Sequence, residues 1–302
     1  MASEQAIAVL ELLKAIPRDT EATIEEQRAA AEATWPMFAT EPSGVEYEHS
    51  DAGGVRALWV TPEEAAPGRV LLYLHGGGYS SGSVETHKRL VAHIATAIGC
   101  RACLLGYRLA PEHPFPAAVN DAVAGYHHLL GLGLDPRQLL IGGDSAGGGL
   151  SVAALVALRD AGAAMPAGAI LLSPWTDLAG TGESLTTRKD VDPFIDPVGI
   201  VETGALYLGA TDPREPLASP IYAELGGLPP LLIHVGDSEV LLDDSVRLAD
   251  VAVRAGVETE LEIWPEMIHV FQMGAGNIPE SDASIAAIGA WARGKLGDQA
   301  SA

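Results

Sequence analysis

Residues 139–149 constrain this chain more than any other stretch: Leu-Leu-Ile-Gly-Gly-Asp-Ser-Ala-Gly-Gly-Gly. Leu139, Leu140 and Ile141 read as a buried strand, and the Ala/Leu/Val-rich stretch 150–160 reads as a helix. Between them lies the pattern G-x-S-x-G, as Gly143-Asp144-Ser145-Ala146-Gly147. A strand that turns this sharply into a helix puts its central residue in a strained conformation and projects that side chain from the sheet edge. The flanking glycines are needed because a Cβ there would strike a neighbouring strand or helix. Ser145 is thereby a candidate nucleophile beside a helix N-terminus, where free amides and the helix dipole favour negative charge.

The length of 302 residues suits a single α/β core. With 48% hydrophobic and 19% charged residues, the composition is that of a globular protein. The net charge of −22 repels nucleic-acid phosphates and anionic membranes, so neither is an expected partner. The N-terminal residues lack the pattern of a signal peptide, and no apolar run approaches the roughly 18 residues of a membrane span. Cys100 and Cys103 are the only cysteines, which makes a cytoplasmic location the default. Their C-x-x-C spacing would suit redox work with the first cysteine at a helix N-terminus. Here it lies in a turn entering a strand, so both are expected to be buried, inert thiols.

Residues 5–16 have amphipathic helical spacing, ended by Pro17, and 23–34 form a second helix with an acidic first turn. Trp35-Pro36-Met37-Phe38 follows on a loop, either packed on the body or walling a pocket. Residues 45–49 and 55–61 alternate as two strands around a Gly53-Gly54 turn. From Val70 the pattern becomes strand, helix, strand. Strands are expected at 70–74, 101–106, 139–141, 169–172, 231–235 and 259–264, and helices at 84–98, 116–130, 146–161, 240–255 and 281–295. That rhythm predicts an α/β fold with a mostly parallel central sheet and helices on both faces. Residues 174–229 break it with prolines, turn residues and one helical piece, 198–208. A loop this long, placed after a strand's C-terminal end, is expected to cover a ligand site.

Directly after the 70–74 strand comes His75-Gly76-Gly77-Gly78-Tyr79. Glycines let a backbone approach a ligand and aim amides at it, as in an oxyanion hole. No phosphate-binding glycine pattern is complete here. His75 precedes the nucleophile, whereas a Ser-acid-His order places the base last. It is therefore expected to stabilise its loop. His269 follows the last strand and precedes the last helix, as a general base should. His234 lies within an apolar strand and is expected to be structural. His127 and His128 have no partner at metal spacing, and H-E-x-x-H is absent, so no metal site is expected. The acid that orients the base should follow the 231–235 strand. There Asp237 and Glu239 both qualify, while Asp243 and Asp244 sit too far into the helix.

These stretches, with Tyr107-Arg108-Leu109-Ala110-Pro111-Glu112 between them, resemble the hormone-sensitive-lipase-like family of α/β-hydrolases, in its bacterial esterase branch. The resemblance implies a Ser145–His269 pair with Glu239 as the acid, because the family's D-P-L-x-D pattern lays Glu239 on the acid position. Glutamate there departs from the usual aspartate, and Met267 replaces a frequent glycine. It also implies oxyanion donors at Gly77, Gly78 and Ala146. A single α/β-hydrolase domain over 1–302 is implied, with a cap from about 1–40 and about 175–228. Trp35, Phe38, Phe194, Leu206 and Tyr207 are then candidates for the pocket wall, and Glu112 for a structural loop partner. The implied activity is hydrolysis of short-chain carboxylic esters without metal or cofactor, and a homodimer through 259–264 fits the same resemblance. A lactonase or amidase shares the tetrahedral intermediate, and a non-catalytic receptor on this fold would be expected to lack the base.

Overall fold

The computed structural model describes residues 2–15 and 22–296. The strands are β1 Val45–Asp51, β2 Arg56–Pro62, β3 Val70–Leu74, β4 Arg101–Leu105, β5 Leu139–Asp144, β6 Gly168–Leu172, β7 Leu231–Gly236 and β8 Thr259–Trp264. The helices are α1 Glu4–Ala15, α2 Ile24–Thr34, α3 Val84–Ile98, α4 Ala117–Gly131, α5 Ala146–Asp160, α6 Ser184–Thr187, α7 Pro197–Leu208, α8 Leu242–Arg254 and α9 Pro279–Leu296. The expected end of the first helix, at 16–17, lies outside the described residues. One sheet runs β1-β2-β4-β3-β5-β6-β7-β8, antiparallel at β1, β2 and β4 and parallel from β4 onward.

Side chains alternate across β3. Val70, Leu72 and Leu74 face the layer of α4, α5 and α8, while Leu71 and Tyr73 face α3 and α9. Both faces are buried, which is why this strand reads as unbroken apolar sequence. Strand β5 runs three residues further than expected, through Gly142, Gly143 and Asp144. It has a parallel partner on each side, with Gly143 opposite Leu74 on one and Leu171 on the other, so the ladder continues through the glycines. Gly53 and Gly54 close the β1–β2 hairpin with φ of +73° and +89°, a conformation that L side chains adopt only under strain. The break at 173–230 holds α6 and α7 together with irregular chain.

The parallel strands all point one way. Their C-terminal ends therefore deliver the 75–79 loop, Ser145, Ser173, the 237–241 loop and the 265–270 loop to one edge of the sheet. Among the described residues, no helix is long and apolar enough to cross a membrane.

Two glycines of α9 give a paired test. A Cβ on Gly289 would lie 2.4 Å from the Ala97 carbonyl oxygen of α3, whereas Gly294 has nothing within 4 Å. Gly289→Ala gains up to about 1 kcal/mol of helix propensity and loses about 1–3 kcal/mol to overpacking. Urea unfolding should therefore show net destabilisation for Gly289→Ala and a small gain, up to about 1 kcal/mol, for Gly294→Ala.

Candidate active site

Ser145 joins β5 to α5 with φ +52° and ψ −122°, a region that L residues rarely enter. Such strain costs about 1–3 kcal/mol and persists only where the surroundings hold it. Those surroundings are backbone. A Cβ on Gly143 would lie 2.4 Å from the carbonyl oxygens of both Gly147 and Leu74. On Gly147 it would lie 2.0 Å from the Leu74 oxygen and 2.5 Å from that of His75. The Ser145 N–H donates to the Leu172 carbonyl at 2.8 Å, which fixes the turn to β6.

The 75–79 loop lies against this turn. Gly77 and Gly78 have φ of +113° and +62°, and both line the cavity into which Ser145 opens. Ala146, the first residue of α5, is buried directly beside Ser145. The loop is held from below by Asp144, which is 3% exposed. Its Oδ1 accepts from the Tyr73 hydroxyl at 2.9 Å and from the Gly76 N–H at 3.1 Å, and its Oδ2 lies 3.2 Å from His87 Nε2. Burial works against the Asp144 charge, but His87 and the Tyr73 hydroxyl more than offset it and hold the carboxyl below its usual range. His75 is buried, stacks on Tyr107 with ring centroids 4.3 Å apart, and places Nδ1 2.7 Å from the Gly76 carbonyl. Burial lowers its pKa to about 3, so it is neutral, and it sits under the loop instead of lining the cavity.

His269 meets Glu239. Its Nδ1 lies 2.9 Å from Glu239 Oε1, and both side chains are almost fully buried. Burial alone would depress the imidazole. The charge and hydrogen bond of Glu239 reverse that and raise its pKa above the ordinary 6.5. The second carboxyl oxygen, Oε2, accepts from the Ser173 hydroxyl at 2.7 Å and the Gly236 N–H at 3.0 Å. Asp237 does something else. Its Oδ1 accepts from the Glu266 N–H at 2.8 Å and the Ser238 hydroxyl at 2.9 Å, bracing the histidine loop from outside. Asp243 accepts from the Ser184 N–H, and buried Asp244 accepts from the N–H groups of Thr176 and Asp177. Both tie α8 to the 173–230 segment.

Ser145 and His269 line the same cavity of about 400 Å³ with Gly77 and Gly78. Trp35, Phe38 and Phe194 line it as well. Leu206 and Tyr207 do not, which corrects the expectation for both. Helix α7 turns the face of Gly199, Ile200 and Thr203 to the cavity. That phase leaves Leu206 partly exposed, at 42%, and sends Tyr207 down onto Tyr79, stacked at 3.7 Å. Helix α1 contributes Val9 and Leu13, and the histidine loop contributes Ile268 and Val270. Helix α2 is tied to the body through Arg28. Its guanidinium donates to both Glu112 carboxyl oxygens at 2.7 Å, to the Ser80 carbonyl at 2.8 Å and to the Ala110 carbonyl at 2.9 Å.

Sequence reasoning missed Ser173. Its backbone is strained at φ +45°, and besides donating to Glu239 its hydroxyl accepts from the Val270 N–H at 3.1 Å. Its sole sequence signal is its place as the first residue past β6. Cys100 and Cys103 are buried free thiols whose pKa burial pushes up to about 12, so both stay protonated at neutral pH. His234 lies buried within β7, with Nδ1 2.8 Å from the Ser284 hydroxyl.

Comparison with known proteins gives a consistent picture. The family model for the alpha/beta hydrolase fold matches residues 71–273. An acetyl-hydrolase of Streptomyces hygroscopicus is 43% identical over 99% of either chain. An esterase of Acinetobacter venetianus is 34% identical over 79% of each. Among solved structures, an esterase from the bacterial hormone-sensitive lipase family superposes with a TM-score of 0.94 at 45% identity, covering 98% of this chain and all of the other. EstE5 soaked with p-nitrophenyl butyrate superposes with a TM-score of 0.93 at 44% identity, covering 98% and 99%.

The Glu239–His269 contact predicts a titration. Followed by NMR, the His269 ring should take up its proton with a midpoint above 6.5. Glu239→Gln removes the charge that favours the imidazolium, so its midpoint should fall below that of the wild type.

Proposed function

The chain belongs to the bacterial hormone-sensitive-lipase-like family of α/β-hydrolases and is a carboxylic-ester hydrolase, and we propose that Ser145, His269 and Glu239 carry its reaction. The observation that carries this reading is the cavity wall. A serine in a strained turn, an imidazole paired at 2.9 Å with a buried glutamate, and two glycines of a positive-φ loop all border one space. His269 takes the Ser145 proton as the hydroxyl oxygen attacks the ester carbonyl. The N–H groups of Gly77, Gly78 and Ala146 receive the oxyanion, each donor being worth roughly 10²- to 10³-fold in rate. Collapse of the intermediate expels the alcohol, protonated by His269, and leaves Ser145 acylated. The same histidine then activates water to release the acid. Glu239 holds Nδ1–H toward itself, so Nε2 is the nitrogen that handles the proton, and it offsets the charge that forms.

Short acyl chains, below about C8, are the proposed substrates, in keeping with the size of small-ligand pockets. The aromatic boundary of Trp35, Phe38 and Phe194 supports this, as does similarity to a protein named acetyl-hydrolase. Residues 1–40 and about 175–228 are proposed as a cap on a single domain. Val9, Leu13, Trp35, Phe194 and Thr203 from those two stretches line the cavity, which supports that division. A cytoplasmic location fits the two free thiols. A homodimer through β8 fits the half-exposed edge of that strand, where Ile263 is 45% exposed.

Two sets of rates test the reading. Ser145→Ala should lower kcat/KM for p-nitrophenyl butyrate by about 10⁴-fold or more. Substantial activity in the purified variant would refute the nucleophile. Glu239→Ala should cost about 10³- to 10⁴-fold. Asp237→Ala, which removes only a loop brace, should cost less than about tenfold. The reverse ranking would transfer the acid's role to Asp237.

A further inference from the structure

The backbone of Val240, which follows Glu239, is held from the 173–230 segment. The Val240 N–H donates to Asp192 Oδ2 at 2.9 Å, and the Val240 carbonyl accepts from the Ser184 hydroxyl at 2.6 Å. Asp192 is 5% exposed. Its other oxygen, Oδ1, accepts from the N–H groups of Phe194 at 2.7 Å and Ile195 at 2.9 Å. Those two residues line the cavity, and the Phe194 ring lies 6.2 Å from the His269 ring and 6.4 Å from that of Trp35. One buried carboxyl group therefore joins the acid's loop with one oxygen and the pocket wall with the other.

We propose that Asp192 is a positioning residue that sets Glu239 and the Phe194–Ile195 wall together, so that the orientation of the base and the shape of the acyl pocket are fixed by the same side chain. Three backbone N–H groups from two segments distant in sequence converge on one carboxyl; that of Val240 is buried and would otherwise be left without a partner, and those of Phe194 and Ile195 are part-buried. Hydrogen bonds to a charged acceptor are about twice as strong as neutral ones, which suits a junction between two loops. A displacement of about 1 Å at such a junction is enough to cost on the order of 10²-fold in rate. The inference rests on the triad reading above.

The two oxygens allow the two roles to be separated. In Asp192→Asn the amide oxygen keeps the two donors of Phe194 and Ile195, since two bonds outweigh one. Its NH₂ then faces the Val240 N–H, donor against donor. In Asp192→Ala all three bonds are lost. Both variants are assayed on p-nitrophenyl acetate, butyrate and hexanoate, with rates expressed per site titrated by a fluorophosphonate so that unfolded protein does not count. Asp192→Asn should lower kcat about ten- to a hundredfold on all three esters with KM near wild type. Asp192→Ala should lower kcat as much and also raise KM, most for hexanoate. Asp212→Ala removes a comparable turn bond in the same segment, to the Arg214 N–H at 2.8 Å, and should behave as wild type. The inference is overturned if kcat per site stays within about twofold of wild type in both variants, or if Asp192→Asn and Asp192→Ala give the same KM on every ester. Ser145→Ala keeps the two failures apart: if it stays active, the triad reading itself has failed, and if it is dead while the Asp192 variants are normal, only this inference has.

Discussion

The carbonyl oxygens of Leu74 and His75 press against the backbone of residues 143–147, at 2.0–2.5 Å from where a Cβ on Gly143 or Gly147 would stand. No side chain fits there, so the end of β3 and the turn after β5 meet backbone to backbone. That contact fixes two things at once. It forces Ser145 into a conformation only its neighbours can maintain, and it sets the glycine loop that leaves β3 beside the serine. The parallel register, with Leu74 opposite Gly143, puts the two loops level at the sheet edge.

Charge then does what packing cannot. Asp144 lies one residue before the serine and is held by a buried set of Tyr73, His87 and the Gly76 amide. A lone buried carboxyl is costly, and one with three partners is a rigid anchor. Glu239 is built in the same manner, with its three partners Ser173, Gly236 and His269 leaving neither oxygen idle. Two buried acids thus anchor the site, one at the glycine loop and one at the imidazole.

Much of this was legible from residue order alone. The strand–turn–helix around Ser145, the alternation of strands and helices and the placing of His269 after the last strand all arise from local patterns of period two or 3.6. The acid needed the family pattern to separate Glu239 from Asp237, because both lie within three residues of the end of β7. The structure gives Asp237 the backbone of Glu266 and Glu239 the imidazole. What stayed hidden depends on contacts between distant segments. Ser173 carries no local signature for its tie to Glu239, 66 residues away, and the turn at Asp192-Pro193 gives no sign of the bond to Val240, 48 residues away. Leu206 and Tyr207 were misplaced for a different reason. Helix α7 is apolar on several faces, so its composition does not reveal which face meets the cavity, and Gly199, Ile200 and Thr203 hold that position.

Arg28 gives the N-terminal helices a part beyond roofing. Its guanidinium spans the carbonyls of Ser80 and Ala110 and the carboxyl of Glu112, reaching the chain two residues past Gly78. Shortening the protein from its N-terminus past this point would do more than widen the entrance. It would leave two carbonyls and an acid without their shared cation, at the root of the glycine loop that lines the cavity. Access and preorganisation are thereby mechanically linked, and a more open variant made in this way would also be a looser one.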